Sequence, residues 1–298
     1  MIHKALSFGG AGVHVFILCS GFGLYLSYLN RPLSYGQFLK RRFFKVYIPY
    51  IIVVLLSAAI PFYNTSPEKG MALLSHLFFF KMFVERFENS FGIQMWFVST
   101  IFQFYLLWPL IVKAFECLNK KGRSVPVVVS LIMGLCWATW VAWLGKEDMR
   151  VWGSFFLQYL WEFVAGMALA LIYKKNPSSL KVPSVFVLAV VGIPMLAVTG
   201  YAGMKGGFLK MYNDVPSLLA YLSVALLAYR LAALRHFFSF TSKFSYEWYL
   251  VHILVFVCVF RLLGHTTLHL AVVLSFACIA SYGTAWLYGR ILNRCGLK

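Results

Sequence analysis

The chain has 298 residues, of which 61% are hydrophobic and only 12% charged, with a mean hydropathy of +0.77, whereas a soluble globular chain is about 25% charged. That balance excludes a water-exposed globular protein, and no stretch carries enough polar surface to close around a core of its own, so residues 1–298 read as a single membrane domain. The net charge of +18 sits in short loops between apolar runs, where an anionic inner leaflet accounts for it, and calls for no nucleic acid.

A hydrocarbon core about 30 Å thick takes about 20 apolar residues of helix. Runs of that kind stand near 8–29, 43–62, 92–116, 124–144, 152–173, 182–201, 215–234, 244–263 and 267–289. They predict an all-α, polytopic transmembrane helix bundle of about nine spans. The stretch 70–84, GMALLSHLFFFKMFV, is apolar but short and carries His76 and Lys81, which predicts an interfacial or re-entrant helix.

The first run, within GAGVHVFILCSGFGLYLS, holds His14 in its outer part and then Ser20, Gly21, Phe22 and Gly23. Small residues at that density let helix backbones approach closely. A Ser-Gly pair can also open a bend that exposes backbone polar groups to a ligand.

Ahead of the second run, FLKRRFFKVYIPY gathers Lys40, Arg41, Arg42 and Lys45 at a helix mouth. Arg42 and Lys45 stand at i and i+3 and share a helical face. Such a fork fits the phosphates of a soluble donor, because guanidinium groups bind phosphate oxygens bidentately. A topology anchor touching lipid phosphates needs the same residues.

Ionisable groups inside a membrane are costly and mark functional candidates. Glu162, in FLQYLWEFVAGMALA, lies deep in its run and requires a donor on a neighbouring helix. FSYEWYLVHILVF places Ser245, Tyr249, His252 and Phe256 on one face of a helix, by steps of four, three and four residues. A neutral imidazole in that seam suits a general base for a hydroxyl nucleophile; it equally suits a hydrogen bond that cements helices. Glu247 points away from the seam and reads as structural.

Nine spans put the termini on opposite sides. One face then collects 18 of the 27 Lys and Arg residues, including the 40–45 cluster, 113–123 and the tail from Arg290 to Lys298. The positive-inside rule assigns that face to the cytoplasm, with the C-terminus inside and Met1 outside. The six cysteines show no CxxC and no pairing pattern, which predicts free, buried thiols. No cluster suggests a metal site.

Four segments in order resemble bacterial membrane acyltransferase family 3, the sugar O-acetyltransferase type: GAGVHVFILCSGFGLYLS, FLKRRFFKVYIPY, MWFVSTIFQFYLLWPL and FSYEWYLVH. The resemblance implies about ten membrane helices and transfer of an acyl group, often acetyl, from cytoplasmic acetyl-coenzyme A to a hydroxyl of a glycan or glycolipid. It implies acyl-CoA as co-substrate, with no bound cofactor, and membrane lipid as surroundings in the bacterial inner membrane. Arg42 and Lys45, with Arg41 beside them, match the family's basic pair that meets the coenzyme phosphates. The second position is usually Arg, so Lys45 lacks the bidentate fork. The family's first helix, with an Arg and a catalytic His, would precede Met1, so the chain is expected to be an N-terminally truncated form. His252 is the catalytic candidate within it, and Ser20, Gly21, Ser245, Tyr249 and Glu162 are the cavity or packing candidates. The rival readings are a transporter or flippase of a lipid-linked glycan, for which internal repeats and paired broken helices are missing from the sequence, and an inactive membrane subunit of a glycan-assembly complex.

Overall fold

The computed structural model describes residues 12–63, 68–263 and 269–297. The expected start of the first span before residue 12, the outward position of Met1 and the tail residue Lys298 lie outside them. The described chain is helical throughout, with no strand. Apart from one-turn helices and 3-10 turns, the helices in chain order are α1 (Val13–Asn30), α2 (Tyr35–Arg42), a π-helical segment (Phe43–Tyr47), α3 (Ile48–Ala59), α4 (Lys69–Leu77), α5 (Trp96–Asn119), α6 (Val125–Trp143), α7 (Phe156–Lys175), α8 (Val185–Lys205), α9 (Asp214–Arg230), α10 (Ala232–Thr241), α11 (Ser245–Leu263) and α12 (Leu270–Arg294).

Eight of the described helices, counting α2 through α3 as one, are long and apolar enough to cross a membrane. The ninth expected span, 215–234, is α9, which runs 17 residues and turns by 111° at Leu231 into α10. The protein is a multi-pass membrane protein. The 70–84 stretch forms α4 and then short 3-10 turns at Phe80–Phe83 and Glu85–Phe87, too short to span. All six cysteines are free, but Cys19, Cys117, Cys136, Cys278 and Cys295 are exposed rather than buried. In a bundle surrounded by lipid an apolar run turns one side outward, so burial does not follow from an apolar neighbourhood.

The chain divides into two compact units: residues 1–35 with 100–235, and residues 36–99 with 236–298. In the first, α1 and α7 cross with their backbones almost touching. A Cβ on Gly21 would lie 2.0 Å from the Phe163 carbonyl oxygen, and one on Gly166 would lie 2.1 Å from that of Leu18. Only glycine fits at both points. Around this crossing Ile17, Phe163 and Met167 are buried, and Phe104 stacks on Phe163 at 4.5 Å. The same device recurs where Gly192 of α8 meets Ser223 of α9.

In the second unit α11 packs on α12, with Gly289 against Phe244 and Glu247. Glu247 is buried. The π segment has a local cause. Pro49 has no N–H to give the Lys45 carbonyl one turn back, and the chain there widens so that the Ile48 N–H reaches the Phe43 carbonyl. Side chains satisfy the neighbouring carbonyls: Tyr246 Oη donates to Val46 O at 2.8 Å and Tyr288 Oη to Pro49 O at 2.7 Å.

Candidate active site

Within the second unit the basic residues lie on the last turn of α2 and the π segment. Arg41 and Lys45 are exposed, and the Arg42 guanidinium lies 5.5 Å from the centre of the buried Phe38 ring. The Tyr246–Val46 bond ties this segment to the first turn of α11. The seam of α11 begins at that same end. Ser245 Oγ donates to Ser242 O at 3.3 Å, Tyr249 donates to Gln94 O, and the rings of Tyr249, His252 and Phe256 follow one another at 6.0 and 6.5 Å.

His252 Nδ1 lies 2.7 Å from Tyr249 O and 3.2 Å from Trp248 O. Carbonyl oxygens only accept, so Nδ1 carries the proton. Nε2 is then the lone-pair nitrogen. Six residues separate Tyr246 from His252, a rise of about 9 Å along α11, so the imidazole sits under two turns inward of the basic segment's docking point.

A second polar network in this unit gathers His76 and Lys81 with Tyr50 and Ser90, of which the sequence marks only the first two. Tyr50 Oη and His76 Nδ1 are 2.7 Å apart, and His76 Nε2 stands 3.0 Å from both Ser90 O and Ser90 Oγ. Because Ser90 O accepts, His76 carries its proton on Nε2 and accepts a hydrogen bond from the Tyr50 hydroxyl at Nδ1. Lys81 donates to Ser90 O at 2.8 Å and to Gly92 O at 3.2 Å. Both His76 and Lys81 are fully buried, so the polar residues of 70–84 point inward rather than to an interface. Burial, with the Lys81 charge beside it, holds His76 well below the ordinary imidazole range. Burial likewise pulls Lys81 down to about 7, against the opposing Glu88 carboxylate. Gln94, two residues after Gly92, meets α11 twice: its Nε2 donates to Leu250 O at 3.3 Å and its carbonyl accepts from Tyr249.

In the first unit Glu162 has its donor. His14 Nδ1 stands 2.6 Å from Glu162 Oε1, and His14 Nε2 stands 3.8 Å from Asp214 Oδ1. Gln158, one turn before Glu162, donates to Met211 O at 2.8 Å and to Asp214. Glu162 Oε2 is buried with no hydrogen-bond partner. Ser20 of α1 donates to Phe16 O at 2.8 Å within its own helix, and Gly21 is occupied by the α7 crossing. The helix is regular through both residues. In the sequence Asp214 stands just ahead of an apolar run and Gln158 within one, and only the spacing of four residues from Gln158 to Glu162 signals a shared face. Among the described residues no group of three His, Cys, Asp or Glu side chains is arranged to hold a metal ion.

Membrane-length helices with polar side chains buried among them define a multi-pass membrane protein. The family model of an acyltransferase domain, acyltransferase family 3, matches residues 1–290, and the chain belongs to that family. It is a membrane acyltransferase. A search of curated proteins finds no match, and neither does a search of solved structures.

Proposed function

We propose that this acyltransferase moves an acyl group, acetyl foremost, from acyl-coenzyme A to a hydroxyl of a glycan or glycolipid at a bacterial inner membrane, with its C-terminus in the cytoplasm. Arg41, Arg42 and Lys45 hold the coenzyme phosphates, with Arg42 supplying the bidentate contact. His252 Nε2 takes the proton from the acceptor hydroxyl as its oxygen attacks the thioester carbonyl carbon. The tetrahedral oxyanion collapses, the carbon–sulfur bond breaks, and the coenzyme leaves as thiolate, which receives the proton from the imidazolium. Tyr249 and Ser245 line the approach on the same face of α11. The two hydrogen bonds from Nδ1 fix the tautomer this role needs, so the imidazole arrives at the reaction already oriented.

The observation that carries the reading is the Tyr246–Val46 hydrogen bond at 2.8 Å, which docks the basic segment at the start of the helix that bears His252. A phosphate-held donor there has its thioester end free to extend along the α11 seam. The test is release of coenzyme thiol by the purified, reconstituted chain given acetyl-CoA and a mixture of bacterial glycans. Thiol release that depends on the glycan supports the reading. Glycan translocation with no thiol release would favour a flippase instead.

A further inference from the structure

In the first unit α5, α6 and α7 leave an apolar cavity of about 230 Å³, lined by Leu110 and Ala114 of α5, Val129 and Met133 of α6, and Leu160 and Val164 of α7. Ser130 also lines it, but its hydroxyl is turned to Val127 O at 2.9 Å. Leu110 is 65% exposed, so the groove opens sideways, toward the surrounding lipid. Directly beyond it on the same helices lies a second cavity of about 190 Å³, bordered by Asn119, Arg123, Lys175, Asn176 and Ser179. No acidic side chain lines that second cavity.

The two cavities follow one stripe of α7. Leu160 and Val164 line the apolar one, and Ala168, Leu171, Ile172 and Lys175 the basic one, at steps of three and four residues that keep to one helical face. From Leu160 to Lys175 the helix rises about 22 Å. One bilayer leaflet with its headgroup layer is about 20–22 Å deep. The chemistry changes along that length as a lipid does, with hydrocarbon walls first, then two cations flanked by neutral polar groups.

We propose that this face binds one anionic phospholipid of the surrounding leaflet, an acyl chain in the groove and the phosphate between Arg123 and Lys175. The lateral opening lets a lipid enter by diffusion in the membrane plane. The cation pair makes the site selective for a net negative headgroup, since a zwitterionic lipid places its own positive charge beside two others. The site shares no residue with the basic segment at Arg41, Arg42 and Lys45.

The test uses the purified chain delipidated in detergent, with phosphatidylglycerol and phosphatidylcholine of identical acyl chains as probes and native mass spectrometry to count retained lipid. The wild type should retain one phosphatidylglycerol at least tenfold more tightly than phosphatidylcholine. Arg123→Gln combined with Lys175→Gln should abolish that preference, and both residues are exposed, so folding is not at stake. Arg290→Gln combined with Arg294→Gln, which removes two exposed charges elsewhere, should leave it intact. Ala114→Phe or Val164→Phe should weaken retention by filling the groove, and agreement between these two guards against misfolding of either. An undiminished preference in the Arg123/Lys175 variant overturns the proposal, as does an equal loss in the Arg290/Arg294 control. Retention of acyl-CoA in place of phospholipid, sensitive to the same two cations, would also overturn it.

Discussion

Glu162 Oε1 stands 2.6 Å from His14 Nδ1, joining two buried side chains that lie 148 residues apart in sequence. Removing one partner of a buried hydrogen-bonded pair leaves the other unsatisfied, at a cost of about 1–3 kcal/mol. Glu162→Ala and His14→Ala should therefore each lower the detergent unfolding temperature strongly, and the double variant should fall far short of the sum. Additive losses, measured as a double-mutant cycle, would show that the two side chains do not act as a pair.

The reciprocal glycines that bring α1 and α7 together give a sharper contrast. Gly21→Ala and Gly166→Ala each drive a Cβ into a carbonyl oxygen of the opposite helix, and the backbones must separate. Gly23, two residues along, has nothing within 4 Å of where its Cβ would be, and Gly23→Ala should be neutral or gain up to about 1 kcal/mol from helix propensity. Thermal melting of the three variants checks it; equal behaviour at Gly21 and Gly23 would sink the close-crossing account.

Nine apolar runs are readable in the sequence because bilayer thickness fixes how long an apolar helix must be; among the described residues eight correspond to a membrane-length helix, and the ninth, 215–234, to the bent pair α9 and α10. The sharp turn at Leu231 was not readable, since YRLAA (229–233) contains no Pro or Gly to signal it. That Glu162 needed a donor was legible from the cost of an unpaired carboxylate in hydrocarbon. Its identity was not, because the His14 pairing depends on where two helices cross, and that is set by Gly21 and Gly166 together. The helical face of Ser245, Tyr249 and His252 followed from periodicity, while the proton on His252 Nδ1 followed only from seeing which carbonyls it meets. The inward turn of His76 and Lys81 was hidden by the shortness of 70–84, which has no periodic length from which to infer a buried side.

Lys81 and His76 make pH signatures of the same sign in different windows. Lysine ordinarily titrates at 10.5 and Lys81 at about 7, so between those values the unfolded chain binds the extra proton. Stability should rise with pH across that window, by up to about 1.4 kcal/mol per unit. His76 stays neutral well below 6.5, so the unfolded chain gains a proton first and stability should fall as pH drops beneath 6.5. Unfolding temperatures followed from pH 5 to 10 should show both limbs, and Lys81→Met should flatten the alkaline one. An alkaline limb that survives Lys81→Met would place its origin elsewhere.

Arg42 is the guanidinium of the basic segment best supported by packing, lying over Phe38. Arg42→Ala should weaken acetyl-CoA binding by roughly tenfold to hundredfold, the value of a charge-assisted phosphate contact of about 1.5–3 kcal/mol. Titration of the coenzyme by calorimetry, with membrane protein level as a control, checks this. Unchanged affinity would reduce the segment to a lipid anchor.

The most direct measurement is acyl turnover by His252→Gln beside its detergent melting curve. Glutamine keeps a similar reach and hydrogen-bonding capacity but takes up no proton near neutral pH. If His252 Nε2 accepts the hydroxyl proton, thiol release from acetyl-CoA in the presence of acceptor should drop by about 10²–10⁴-fold while the unfolding temperature stays close to that of the wild type. Near-normal turnover in a folded His252→Gln protein would contradict the account and leave His252 a packing role.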